Sequence, residues 1–490
     1  MVKRIARNIP VLIFLALQCP LLAQNYSRHN WFFGNSADAI IFNKSDNDPM
    51  WVDVQYTPFG QGGSAVATDP LSGQILFYSD GLSVIDASHN VMPDGTGLQG
   101  LTPSNQQVGI CPDPDDPDRY YLFTNSAGGN TAGNMFYTVV DMSLPGNAGM
   151  FAPNLGNVVS SLKNVATPIN STSEAMVVIP KPGFDGCWVV TQERGTTRYN
   201  AFEVSSAGFG NIITSDIAPT GGSALVAANF AYTSEDGNKI AVSPKNSNQN
   251  VQILNFNATT GQVSFREEIA NTGNNDGAEY AVYDTEWSAN GLNLYISRFG
   301  SDGAATGQLL QYDPNAPNVQ TVPTGPLTHS LGVRLGPDDR IYHLYETNSG
   351  QFLVAQIDQP DMELDSIGYD PMPEDIGNIN YNGRQFPEFA YARRTSNSEM
   401  FMVSGQCTNA PTQFFPQVDP TAENFNWIIG GGGGGTSSNL LAPIVEFTQG
   451  GSINISMRYF INDQLFTYDS VIDITQNDLQ AQLADTIICP

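Results

Sequence analysis

Histidine is almost missing from this chain, with four in 490 residues. His29, His89, His329 and His343 form no HxH or HExxH pattern, so the common zinc-hydrolase signatures do not apply. His89 falls in a turn and His343 in a strand-like stretch, where each reads as structural. Cysteine is nearly as rare. Cys111, Cys187, Cys407 and Cys489 follow the N-terminal Cys19 and show no CxxC spacing, which argues against a zinc site. Cys111 and Cys187 lie within strand-like segments and are expected to be packed, free thiols. No G-x-S-x-G elbow or P-loop occurs, and the nearest approach to a sialidase box, TSEDGNKI at Thr233–Ile240, has its Asp and Gly misplaced and no Trp. No catalytic or cofactor-binding residue is assigned, and metal content stays open.

Positive charge is scarce too. Lys and Arg number 20 against 48 Asp and Glu, for a net charge of −28. Such a chain repels phosphate backbones, which sets nucleic acid aside as a partner. The acidity suits solubility outside the cell, with divalent cation binding as the sharper reading. Long apolar runs are lacking after the first residues. Lys3, Arg4 and Arg7 precede the apolar Val11–Leu17, which is too short to span a bilayer, and Leu21-Leu22-Ala23 has a small residue for cleavage. Residues 1–23 are therefore expected to be a secretory signal. A lipoprotein reading at Cys19 fits poorly, because Gln18 precedes it and Pro20 follows. A sustained 3.6-residue apolar period is also absent, so helices should be few.

What the chain does contain is a repeated phrase: an apolar strand, a polar Pro/Asp/Gly turn, and a second strand rich in Tyr and Phe. It reads SAVATDPLSGQILFYSDG at Ser64–Gly81, VGICPDPDDPDRYYLFTNS at Val108–Ser126 and MVVIPKPGFDGCWVVTQ at Met176–Gln192. It returns as ANFAYTSEDGNKIAVSP at Ala228–Pro244, DTEWSANGLNLYISRFG at Asp284–Gly300 and LGVRLGPDDRIYHLYE at Leu331–Glu346. Second-strand anchors at Phe77, Leu122, Val189, Ile240, Leu294 and Tyr342 are 45, 67, 51, 54 and 48 residues apart. Four short antiparallel strands with their turns occupy about 40–50 residues, one blade of a β-propeller. The long interval holds Gly/Asn/Ser-rich insertions at Ala127–Asn134 and Pro145–Asn157, expected to be loops. Six copies are visible, and a further blade can be assembled from Asn30–Phe42 and Met50–Tyr56 with Phe386–Arg394. Closing the ring this way removes the edge strands, so seven blades are favoured over six or eight.

The fold class is thus all-β: a propeller over residues 24–396, then an immunoglobulin-like, PKD-type β-sandwich over 397–476. NFNWII (Asn424–Ile429) puts a Trp in an inner strand, and Pro443–Phe447, Ser452–Phe460 and Phe466–Ile474 supply alternating strands. The glycines Gly430–Gly435 follow the Trp strand and read as a hairpin loop. Residues 477–490 read as the start of a further module, with Cys489 lying 82 residues after Cys407. That spacing suggests that the chain is a fragment.

The segments NWFFGNSADAIIF (Asn30–Phe42), Ser64–Leu98, Asp116–Ser126, Phe136–Met142, Gly186–Gln192, Gly332–Tyr345 and QFPEF (Gln385–Phe389) occur in an order that resembles a family of Bacteroidetes surface proteins. These are associated with gliding motility and type IX secretion. The resemblance covers about residues 30–394. It implies an N-terminal propeller, PKD-type modules, and export to the exterior of the outer membrane through the secretion machinery. The sandwich departs from the PKD pattern, with glycines where W-x-F-G-D-G is usual.

The main expectation is an exported, non-enzymatic binding or scaffold protein. Its propeller would recognise a protein or glycan at the cell surface, and its sandwich modules would form a stalk. The alternatives are a propeller hydrolase or lactonase with a metal in the central channel, and a component of the secretion or gliding apparatus. Calcium is the one metal the sequence suggests. DPDDPD (Asp113–Asp118) and SDND (Ser45–Asp48) are rich in oxygen ligands but read first as solvated turns, as does Asn271–Tyr280. Arg194, Arg198 and Arg334 are rare cations at strand ends, suited either to an anionic ligand or to a neighbouring acid.

Overall fold

The computed structural model describes residues 25–54, 59–70, 72–101, 103–148, 153–182, 186–233, 237–246, 248–273, 277–301, 306–316, 318–391, 401–404, 408–409, 411–416, 423–430, 436–461 and 464–475. The expected signal segment, Cys407, the interdomain boundary near residue 396 and residues 477–490 lie outside them. Among the described residues strand dominates, broken by short 3-10 turns such as Ser160–Leu162.

Each repeat folds as an antiparallel meander. The strands Ser64–Thr68, Ile75–Ser79, Ser83–Asp86 and Val91–Thr96 pair in sequence order. So do Ala227–Tyr232, Lys239–Pro244, Val251–Asn257 and Gln262–Ile269. Two further meanders begin at Asp284–Trp287 and His329–Leu335. Burial follows strand order. Ser64–Thr68 and Asp284–Trp287 are buried at every position, whereas the fourth strand Gln320–Thr321 is exposed. An apolar first strand therefore sits at the centre and a polar last strand at the rim, which is the layout of a β-propeller blade. The first strands also pack on one another from repeat to repeat.

The turns of the repeat carry its Asp and Gly residues for local reasons. Asp69 caps the first turn, accepting from the Ser72 amide at 2.6 Å, while Gly73 closes it at φ +66°. A left-handed residue at that position favours glycine. Packing between repeats imposes a second requirement. Trp188 Nε1 donates to the Ala258 carbonyl at 2.6 Å, and its ring lies where a Cβ on Gly261 would come within 2.6 Å. A side chain at Gly261 would push the two sheets apart.

Two features differ from the sequence expectation. The long interval is not only loop. Val165–Pro180 is a single 16-residue strand that pairs with Gly133–Asp141 through its first half and with Gly186–Glu193 through its second. Two successive meanders thereby share one eight-stranded sheet. The cysteines also depart from free thiols, since Cys111 and Cys187 are joined in a disulfide across 76 residues. Their strands belong to neighbouring meanders, and their Cα atoms are 6.4 Å apart, within disulfide reach. Sequence spacing carries no sign of this face-to-face approach.

The two ends of the repeat region come together. Asn30–Phe32, Asp38–Phe42 and Pro49–Asp53 form a three-stranded sheet, and Pro387–Phe389 pairs in parallel with Ser64–Thr68. Trp31 is fully buried against Phe386 at 5.0 Å and Tyr342 at 5.3 Å, so one aromatic cluster joins the N-terminal sheet to the last repeat. Beyond residue 400, a three-stranded sheet (Phe401–Ser404, Pro411–Pro416, Ile444–Glu446) shares a core with a four-stranded one. The latter runs Thr436–Ser438, Glu423–Gly430, Gly451–Ile461, Gln464–Ile474. Trp427 is at its centre, 5.3 Å from Phe401 and 5.8 Å from Phe414. Ile429 pairs with Thr436, so the polyglycine stretch does connect hairpin strands.

Candidate functional site

The first strands are nearly all apolar, which makes their few charged side chains conspicuous. Asp284 and Glu286 are two residues apart on one strand and so point to the same face. Both reach across to the backbone of the next first strand. Asp284 Oδ2 accepts from the Val333 amide at 3.0 Å, and Glu286 Oε2 from the Leu335 amide at 3.2 Å. Arg334 lies between those two amides. Its Nη2 donates to Glu388 Oε1 at 2.7 Å, and its Nη1 approaches Glu286 Oε2 at 3.7 Å. Burial opposes the Arg334 charge, but Glu388, Glu286 and Asp284 outweigh it and raise its pKa. Arg28 enters the same layer, donating to the Leu335 carbonyl. Burial lowers its pKa, with Glu286 opposing.

Gln106 ties this layer to three further strands. Its amide nitrogen donates to the Phe230 carbonyl at 2.8 Å and to Glu388 at 3.0 Å. Its oxygen accepts from the Phe230 amide at 2.8 Å and the Met176 amide at 3.2 Å. One glutamine thus satisfies backbone groups that no sheet ladder reaches.

Asp284 is the group most altered by this environment. It is 1% exposed, and burial pushes its carboxyl up to about 8, although Arg334 and the Val333 amide work the other way. At neutral pH the proton is therefore mostly retained. Asn229 Nδ2 lies 2.5 Å from Asp284 Oδ1, while the buried Asn229 Oδ1 has no partner. Turning the amide over would let that oxygen accept the carboxyl proton at the same position.

A second layer lies at the end where the first strands begin. Glu174 is fully buried; Lys245 Nζ donates to it at 2.5 Å and the Tyr280 hydroxyl at 3.1 Å. Lys245 also stands 4.4 Å over the Tyr280 ring, a cation–π contact. Burial raises the Glu174 pKa against the pull of Lys245, Tyr280 and Arg194. Burial likewise raises the phenol pKa values of Tyr280 and Tyr283.

The residues singled out from sequence are dispersed. His343 is buried between Ser330 Oγ at 2.8 Å and the Tyr369 hydroxyl at 3.1 Å, and burial lowers its pKa to about 3. His329 pairs with Glu346 at 2.6 Å, His89 meets the Tyr78 hydroxyl at 3.0 Å, and His29 meets Asn47 at 3.0 Å. In DPDDPD the carboxylates of Asp113 and Asp116 accept from the amides of Asp115 and Asp118, both at 3.0 Å. In the other acidic segment Asp46 accepts from the Asp48 amide at 3.2 Å. These are turn caps. Among the described residues no group of three or more His, Cys, Asp or Glu is placed to hold a metal ion. Arg198 pairs with Glu193 at 3.1 Å. Arg334 sits among the central acids, and Arg194 acts on Glu174 while its Nη2 donates to the Gly129 carbonyl at 3.2 Å. The acids there were missed, and the signal for them was a lone carboxylate in an otherwise apolar strand: STSEAMVV, DTEW and FPEF.

No family model and no curated protein matches this chain. Solved structures do. A Lactobacillus plantarum protein is similar at 12% identity over 74% of this chain and 100% of its own, with a TM-score of 0.44. A candidate 6-phosphogluconolactonase from Bacteroides fragilis is similar at 11% identity over 74% and 98%, with a TM-score of 0.43. The Dos1 propeller is similar at 9% identity over 80% and 94%, with a TM-score of 0.38. At these values the propeller assignment rests on the sheet topology above, and no activity is carried over.

Proposed function

We propose that this chain is an exported, non-enzymatic surface protein whose propeller is a recognition scaffold. The observation that carries this reading is the use made of the central charges. Asp284, Glu286, Gln106 and Arg334 bond to the backbones and acids of neighbouring first strands, so they hold the ring together. Binding specificity then falls to the loops between repeats, the usual place for it on a rigid fold. The ring is read as seven-bladed. In this reading Asn30–Phe32, Asp38–Phe42 and Pro49–Asp53 are the outer strands of the seventh blade, and Pro387–Phe389, which pairs in parallel with Ser64–Thr68, closes its inner side. The two sheets after residue 400 are read as a PKD-type sandwich acting as a stalk. The basic and apolar N-terminal segment and the resemblance to type IX secretion-associated proteins support export to the cell surface. Among the described residues no helix is long and apolar enough to cross a membrane.

The test is to apply the labelled protein to outer-membrane fractions and glycan arrays, and separately to a panel of lactones and esters. Saturable binding without turnover is expected. Lactone turnover that is lost in Asp284→Asn would refute the scaffold reading. It would support instead a hydrolase, which one observation favours: a buried carboxyl that keeps its proton at neutral pH is poised as a general acid.

A further inference from the structure

We infer that the centre of the ring, at the end where the first strands begin, binds the carboxylate of a small organic acid. This goes beyond the scaffold reading, which places recognition in the outer loops. Three cations meet at this end. Arg194 directly follows the strand Gly186–Glu193, and its amide donates to the Ser171 carbonyl at 2.8 Å. Lys245 follows Lys239–Pro244, its amide bonded to the Val226 carbonyl at 2.8 Å. Arg384 precedes Pro387–Phe389, its amide bonded to the Gln61 carbonyl at 2.9 Å. The backbone thus fixes all three at one level of the ring.

Arg384 faces Glu279 at 3.9 Å, and Lys245 holds Glu174 beside Tyr280, which lies 5.1 Å from Tyr283. The Tyr283 phenol feels the charges of Arg384, Asp284, Glu174 and Glu279, and Glu174 in turn feels Lys245 and Arg194. Three cations face Glu174 and Glu279 here, with the neighbouring Asp284 held protonated by burial, in a chain whose net charge is −28. Lys245 is committed to Glu174. The arginines are not fully used. Arg194 Nη1 and Arg384 Nε are buried with no hydrogen-bond partner among the described residues. Arg384 Nη1 only approaches Glu279, at 3.9 Å. The next side chain, Gln385, is 1% exposed and its amide nitrogen is also unpartnered.

Buried donors left without acceptors are costly, and native proteins rarely keep several together. Arg194 Nη1, Arg384 Nε and the Gln385 amide nitrogen are all donors, and two of them are cationic, so an anion is the ligand that matches them. A planar guanidinium fork favours a carboxylate, which it can hold with two parallel bonds. Aromatic surface adjoins the donors. Tyr280 and Tyr283 lie 5.1 Å apart, and Phe299 stacks on Tyr283 at 5.5 Å. A ligand with a compact ring bearing one carboxylate, such as a uronic acid, matches both halves of the site.

The experiment is calorimetric titration of the full chain with glucuronate, glucose and inorganic phosphate in parallel. Saturable glucuronate binding is expected, weakened by added salt, with no glucose binding and weaker phosphate binding. Arg384→Gln should lower glucuronate affinity about tenfold. Tyr283→Phe keeps the packed ring and removes only the hydroxyl. It should lower affinity severalfold with the melting temperature unchanged, which keeps the test decisive if the arginine variant misfolds. Absence of saturable glucuronate binding would overturn the inference. So would equal binding of glucose, tighter binding of phosphate, or full affinity in both variants.

Discussion

Replacing Asp284 by Asn tests the physical picture of the ring centre most directly. Asparagine has the shape of the neutral carboxylic acid and never ionises. In the folded protein burial raises the Asp284 pKa from its ordinary 3.8 to about 8. Between those values the native state holds a proton that the unfolded chain has released. Native stability then falls as pH rises, by about 1.4 kcal/mol per pH unit. The contribution is complete below the unfolded pKa and is lost as pH climbs through the folded one. The variant lacks this slope, while all other titrating groups are common to both proteins and cancel in the difference. Urea unfolding followed by tryptophan fluorescence at about pH 4.5, 5.5, 6.5 and 7.5 reads that difference. Four of the five tryptophans, Trp31, Trp51, Trp188 and Trp287, precede residue 400, so the signal reports mainly on the ring. Relative to wild type, Asp284→Asn should gain about 4 kcal/mol of stability across that range. A flat difference would mean that Asp284 is ionised in the native state, and the account of its burial would be wrong.

Other outcomes follow from the same contacts. Breaking the Cys111–Cys187 bond with Cys187→Ser should lower stability by about 4 kcal/mol on the chain-entropy model for a loop of 76 residues; denaturation with and without reductant checks it, the variant being insensitive to reductant. Arg334→Met leaves the buried Glu286 without one of its cations and breaks the ion pair with the half-buried Glu388, and should cost about 3–5 kcal/mol, which urea unfolding reads. Trp427→Ala should destabilise the C-terminal sheets by about 3–5 kcal/mol while the ring's own transition stays in place, which differential scanning calorimetry resolves. Calcium or a chelator should leave the melting temperature unchanged, because the carboxylates of Asp113 and Asp116 already cap their own turns.

Much of the fold was legible along the chain. Alternation of apolar strand, polar turn and aromatic strand is a local signal, set by side-chain period and turn chemistry within about 20 residues. It marked the repeats, the scarcity of helix, and the Trp427 strand with its glycine hairpin. It also placed the Asp residues of DPDDPD in a turn, where the structure has them. The disulfide was not legible, because Cys111 and Cys187 approach through the packing of neighbouring meanders. Nor was the 16-residue strand Val165–Pro180, whose two halves serve two meanders.

The central site divides in the same way. Sequence alone determined that Arg194 and Arg334 are rare cations at strand ends, while the lone carboxylates Glu174, Asp284, Glu286 and Glu388 stood in apolar strands without being singled out. Only the tertiary structure decided their roles. It set Arg334 against Glu388 and left Arg194 with an unmet donor. Electrostatic energy depends on distance and burial. Both arise from strands far apart in sequence meeting at the centre of the ring, and neither is written in any single strand.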